Sequence, residues 1–95
     1  MDNEHTLYFS WDQDKNALLK SLREVSFEMV VQNILSDDIL DIIMHPNQKK
    51  YPGQKILFTK LNDYVHAVPY VENNNEIFLK TIFPDRNANK KYQNI

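Results

Sequence analysis

The chain has no cysteine, one glycine, four prolines and one tryptophan in 95 residues. Without cysteine there is neither a disulfide framework nor a thiolate metal site to staple a small domain. The single glycine, Gly53, removes the glycine-rich phosphate loop, and a nucleophile elbow of the Gly-x-Ser-x-Gly kind is equally impossible. No stretch reaches the roughly 18 apolar residues of a membrane span. The start, Met1-Asp2-Asn3-Glu4-His5, is acidic and leads into no long apolar run, unlike a secretory signal, so a cytoplasmic location without membrane contact is expected. The three histidines show no His-x-His or His-x-x-x-His spacing, and the acidic pairs Asp12/Asp14 and Asp37/Asp38 are explained as helix caps and loop ends. Neither a metal nor a cofactor is expected.

What remains is a composition 42% hydrophobic, 12% aromatic and 25% charged, which suits a folded domain rather than a disordered chain. A chain this short buries only about 60–65% of the surface that its unfolded form exposes, enough for one core, so residues 1–95 are read as a single domain. The net charge of −2 conceals a division. Residues 1–48 carry nine acidic and three basic side chains, whereas residues 49–95 carry four acidic and eight basic. Such asymmetry fits a polyanion on the basic half or a basic partner on the acidic half, and equally two ordinary solvated faces.

Periodicity orders the elements. Thr6 to Trp11 is β-prone and stops at Asp12, a residue suited to cap a helix over Asp12 to Glu24, in which Leu18 and Leu22 share a face with Leu19 beside them. Ser26 caps a second helix whose stripe is Phe27, Val30, Val31, Ile34 and Leu35, ended by Asp37 and Asp38. The period then changes to that of strands: Ile39 to Met44, Lys55 to Leu61, Tyr64 to Val71 and Glu76 to Phe83. Tyr51-Pro52-Gly53-Gln54 suits a type II turn, Asn62-Asp63 a two-residue hairpin, and Glu72 to Asn75 a longer turn. Pro69 lacks the N–H for a ladder bond and is expected at an edge or a bulge. Asp85 to Gln93 reads as a short basic helix or tail. The predicted fold is α+β, two helices packed on a mainly antiparallel sheet, with Trp11 and Phe27 in the core.

Trp11-Asp12 and Lys15, followed at fixed spacing by Val25-Ser26-Phe27-Glu28, resemble the N-terminal signature of BrnT toxins, a RelE-like family. Arg86, Ala88, Lys90 and Lys91 resemble the basic segment that follows the last strand in that family, so the likeness spans roughly residues 8–92. The chain departs from the family pattern at Leu22-Arg23-Glu24, where Lys-His-Gly is usual, and at Asn87 and Asn89. The resemblance implies a RelE-like fold and a type II toxin that cleaves RNA without a metal and inhibits growth. A cognate antitoxin would neutralise it in a hetero-oligomer, and DNA would be met only through the antitoxin.

Metal-free RNA cleavage uses the 2′-hydroxyl as an internal nucleophile, so the protein must supply a base, an acid and cations for charge gathering on the phosphate. Arg86 is the first choice for the phosphate because its planar fork donates two parallel hydrogen bonds and stays charged, with Lys80 beside it in the last strand and tail. His45 and His66 are the candidates for proton transfer, since histidine titrates near neutrality. Lys90 and Lys91 are candidates for holding RNA, and Tyr64 and Tyr92 for stacking a base. Each has a plainer alternative: a solvated charge, a structural histidine or an edge aromatic. A non-catalytic toxin, or a degenerate one that acts by protein binding, stays open and would show an exposed apolar groove instead of converging cations.

Overall fold

The computed structural model describes residues 6–93, so the acidic start and His5 lie outside the described residues. The element order is β1 (Tyr8–Ser10), α1 (Gln13–Arg23), α2 (Phe27–Leu35), β2 (Asp41–Met44), β3 (Lys55–Leu61), β4 (Tyr64–Asn73), β5 (Glu76–Leu79), β6 (Phe83–Pro84) and α3 (Arg86–Gln93). Both early helices start as their caps dictate. Asp12 Oδ1 accepts from Lys15 N–H at 3.0 Å and Ser26 Oγ from Met29 N–H at 3.2 Å, each satisfying a donor that the first turn leaves open. Glu24 ends α1 at φ 58°, the left-handed position that glycine most often takes.

The inward face of α1 differs from the expected one. Leu18 and Leu22 are 55% and 70% exposed, while Asn16 and Leu19 are buried. Asn16 is polar yet costs little there. Its Oδ1 accepts from Phe27 N–H at 2.8 Å and its Nδ2 donates to Glu28 Oε1 at 2.8 Å, so one side chain ties α1 to the start of α2. Arg23, at the next position of the same stripe, donates from Nη1 to Ile82 O at 3.0 Å. On α2, Phe27 and Val30 are fully buried as expected, and Leu35 is exposed.

The strands form one mixed sheet in the order β1-β5-β4-β3-β2, with β6 also pairing β4. β1 runs parallel to β5 and the other pairings are antiparallel. Asn62 and Asp63 both take positive φ, the geometry of a type I′ hairpin. Gly53 has φ 76° and Gln54 N–H returns to Tyr51 O at 3.2 Å, as a type II turn requires.

Pro69 lies in β4, in the middle of the sheet rather than at an edge. On a strand, a residue's nitrogen and carbonyl point the same way, and Pro69 O accepts from Lys80 N–H at 2.8 Å, on the side away from β3. The missing N–H therefore faces residues 80–82, where the neighbouring strand is interrupted. The single strand expected over Glu76 to Phe83 is thus two, β5 and β6, and the proline sits opposite the break.

Each face of the sheet has its own apolar cluster. Leu57, Leu61, Val68, Tyr70 and Leu79 meet Leu19, Val25, Phe27 and Val30 beneath α1 and α2, and Trp11 stacks on Phe27 with ring centroids 5.6 Å apart. The buried Trp11 Nε1–H has no acceptor among the described residues. On the opposite face Phe58, Val65 and Ala67 meet Ala88 of α3, joined by Phe83 and Tyr92. The C-terminal segment is therefore a helix docked on the second face. Val65 fixes it from both ends of its peptide: Asn89 Oδ1 accepts Val65 N–H at 3.0 Å, and Val65 O accepts Asp85 N–H at 3.1 Å. Among the described residues no helix is long and apolar enough to cross a membrane.

Candidate functional site

The residues expected to act fall into three places. The first lies where β2 ends and β3 begins, on the same face of the sheet as α3. His45 N–H bonds Gln54 O at 2.9 Å, which closes the long β2–β3 connection and brings its Lys50 and Tyr51 back over the sheet. The His45 and Tyr51 rings are 4.5 Å apart between centroids. Lys80, just beyond β5, reaches the same spot: its Nζ donates to Gln54 Oε1 at 3.0 Å and lies 5.9 Å from the Tyr51 ring centroid. Lys50 Nζ lies 5.4 Å from the same centroid. Two ammonium groups thus share one aromatic ring, and among the described residues no carboxylate pairs with either. Ring quadrupole and amide oxygen hold the lysines in place, while their mutual repulsion makes an anion between them favourable.

The tautomer of His45 follows from its neighbours. Asn47 N–H donates to His45 Nδ1 at 3.0 Å, so the neutral ring carries its proton on Nε2 and presents a donor rather than a base. His45, Lys50 and Lys80 therefore form a set of N–H donors around Tyr51. Gln54 is buried and orients Lys80. Sequence reasoning named His45 and Lys80 but missed Lys50, Tyr51 and Gln54, which it read only as loop and turn residues. Pairing β2 with β3 in antiparallel register would have placed Gln54 opposite His45, and that was the available signal.

The second place is a cleft of about 480 Å³ on the other face, lined by Arg23, Val25, Leu61, Tyr64, His66 and Pro84 among others. His66 is buried, its Nδ1–H donates to Tyr64 O at 2.8 Å, and Tyr64 packs edge-on at 6.0 Å between centroids. Desolvation lowers its pKa below the ordinary histidine value, an effect that the Tyr64 carbonyl opposes and the Arg23 charge adds to. His66 is thus a neutral histidine with an open Nε2 lone pair. It cannot share a phosphate with His45, because the sheet lies between them.

The third place is α3. Arg86 opens the helix and is exposed, and its side chain makes no hydrogen bond or ion pair among the described residues. Lys90 and Lys91 are exposed too, with Lys91 Nζ 5.3 Å from the Tyr92 ring centroid. Tyr92 is engaged in structure. Its hydroxyl donates to Asp41 Oδ2 in a short hydrogen bond and its ring meets Phe58 at 5.9 Å, pinning α3 to β2. That bond is also the leading cause that lowers the Asp41 pKa and raises that of Tyr92.

Arg86, Lys90 and Lys91 share the face of the His45–Tyr51–Lys80 cluster, whereas Tyr64 and His66 are on the other. Among the described residues no group of three His, Asp or Glu side chains is placed to hold a metal ion. Comparison of the chain with protein-family models, with curated proteins and with solved structures finds no match.

Proposed function

We propose that the chain is a RelE-like toxin of the BrnT type: an endoribonuclease that works without a metal and is held in check by a cognate antitoxin. The observation that carries this reading is the convergence of His45, Lys50 and Lys80 on Tyr51, with Lys80 oriented by the buried Gln54. The cluster fits a phosphate flanked by an unpaired base. Tyr51 offers a half-exposed ring for stacking, and the two lysines lie close enough to take up charge as the phosphate becomes pentacoordinate. His45, with Nδ1 occupied, steadies the departing 5′-oxygen with a hydrogen bond from Nε2–H; that oxygen takes its proton from water, and water takes the proton of the attacking 2′-hydroxyl. Arg86, Lys90 and Lys91 extend the cationic surface on the same side and steer RNA toward it. An antitoxin would cover this face.

The test is growth inhibition on expression of the chain alone. Lys80→Ala is expected to abolish toxicity and Lys60→Ala, an exposed lysine outside the cluster, to leave it intact. Equal toxicity of both folded variants would overturn the assignment. A second reading, inhibition by protein binding, is favoured by one feature, the exposed Leu18 and Leu22 on α1. It predicts instead that Leu22→Lys abolishes toxicity while Lys80→Ala does not.

A further inference from the structure

β2 closes one side of the sheet, and apart from Asp41 nothing in its sequence blunts it as edge strands usually are blunted. It contains no lysine and no proline, and Ile42, Ile43 and Met44 are 50%, 38% and 54% exposed. Because His45 N–H bonds Gln54 O, alternate residues 41, 43 and 45 turn their backbone groups toward β3, and Ile42 and Met44 turn theirs outward. One of those outward groups is already taken: Asp41 Oδ1 accepts Ile42 N–H at 2.8 Å. Among the described residues the free donor is Met44 N–H and the matching free acceptor is Ile42 O.

We propose that this edge pairs with the same edge of a second copy, β2 antiparallel to β2 about a two-fold axis at Ile43, so that two sheets become one. The open groups fit this register: Met44 N–H of each copy meets Ile42 O of the other, giving two backbone bonds across the axis. Ile42 of one copy then lies beside Met44 of the other, and the half-exposed apolar pair of Ile42 and Met44 is doubled into one patch that each copy covers for the other. Charge selects the same arrangement. The N-terminal end of β2 carries Asp37, Asp38 and Asp41, while its C-terminal end runs into His45, Lys49 and Lys50. Antiparallel pairing sets the acidic end of one copy against the basic end of its neighbour, whereas parallel pairing would set like against like. A strand that is complementary to itself in hydrogen-bonding, apolar pattern and charge points to a second copy as its occupant. Four residues make a small interface, so the dimer is expected to be weak, with a dissociation constant on the order of micromolar, and to weaken with salt.

The pairing does not depend on the RNA-cleaving reading. Sedimentation velocity of the full chain over a concentration series tests it, beside two variants. The parent is expected to shift from monomer to dimer as concentration rises, and Ile42→Lys to remain monomeric with an unchanged circular dichroism spectrum. Ile43→Cys supplies a second test, because the chain has no other cysteine. Facing residues of a non-hydrogen-bonded antiparallel pair have Cα atoms about 4.5 Å apart, within the roughly 4.4–6.8 Å span of a disulfide, so mild oxidation should link two Ile43→Cys chains. A parent that stays monomeric at every concentration overturns the proposal, even if another protein is found on the strand. So does a folded Ile42→Lys protein that still dimerises. Should Ile42→Lys unfold, the failure of Ile43→Cys to cross-link decides against the pairing.

Discussion

Asn16→Ala is expected to be the most damaging single truncation of a polar side chain in this domain. Asn16 is 2% exposed and makes two hydrogen bonds of 2.8 Å, accepting from Phe27 N–H and donating to Glu28. Phe27 is itself fully buried, so truncation leaves its N–H without a partner where water does not easily reach, at about 1–3 kcal/mol. The bond to the exposed Glu28 adds no more than about 1 kcal/mol, since solvent competes for that carboxylate. The total, about 1–4 kcal/mol, is a large share of the roughly 5–15 kcal/mol available to a domain. At about 4–8 °C per kcal/mol for a chain of this size, the midpoint should fall by roughly 5–30 °C. Thermal unfolding followed by circular dichroism and Trp11 fluorescence reads this directly. Leu22→Ala, a truncation of the exposed leucine one turn from Leu18, serves as the reference and should stay within about 0.5 kcal/mol of the parent. The pH dependence sharpens the test. The hydrogen bond from Asn16 is the main cause that depresses the Glu28 pKa, so its stabilisation is present above the ordinary glutamate range and lost as pH falls through the lower folded value. Asn16→Ala should flatten that acid limb. If Asn16→Ala melts within a few degrees of the parent, the link from α1 to α2 does not depend on this side chain and the reasoning fails.

Three further outcomes are expected. Glu24→Gly should raise the thermal midpoint by a few degrees, because a glutamate held at φ 58° costs about 1–2 kcal/mol, which glycine avoids at a smaller entropic cost; a fall would show that the Glu24 side chain is engaged. The His66 pKa is depressed by burial, so the unfolded chain takes up its proton first and stability drains away as pH falls from the ordinary histidine value toward the folded one; in His66→Gln the midpoint should change less over that window, and parallel pH profiles would refute the assignment. Arg86→Ala should alter stability by no more than about 0.5 kcal/mol, as removal of an exposed cation does, while reducing toxicity; a folded Arg86→Ala protein as toxic as the parent would remove Arg86 from the proposed site.

The elements were largely legible from residues that act alone. Asp12, Ser26, Gly53 and the Asn62-Asp63 pair each impose a local geometry, and the structure uses them as caps and turns. Pattern reading failed where a polar residue is satisfied by a distant partner. Leu18 and Leu22 look like the core stripe of α1, but Asn16 and Leu19 take the inward positions, Asn16 because Phe27 N–H is waiting there, while the exposed Arg23 reaches Ile82 O. Pro69 misled in the same way, since its missing donor matters only beside an intact neighbour and residues 80–82 break that neighbour. The candidate cluster was legible only in part. His45 and Lys80 were chosen for their chemistry, yet their meeting through Tyr51 and Gln54 depends on the β2–β3 register, which joins residues far apart in sequence. The division of His45 from His66 also depends on which face each strand residue takes.

The central claim is that the chain cleaves RNA with a phosphate-binding cluster around Tyr51, and its most direct test is cleavage by the purified protein in the presence of a chelator. RNA fragments ending in 2′,3′-cyclic phosphate are expected, at a rate unchanged by chelator and lowered about 100- to 1000-fold in a folded Lys80→Ala variant, the loss seen when one donor to a developing oxyanion is removed. Full activity of Lys80→Ala, or cleavage that stops when the chelator is added, would contradict it.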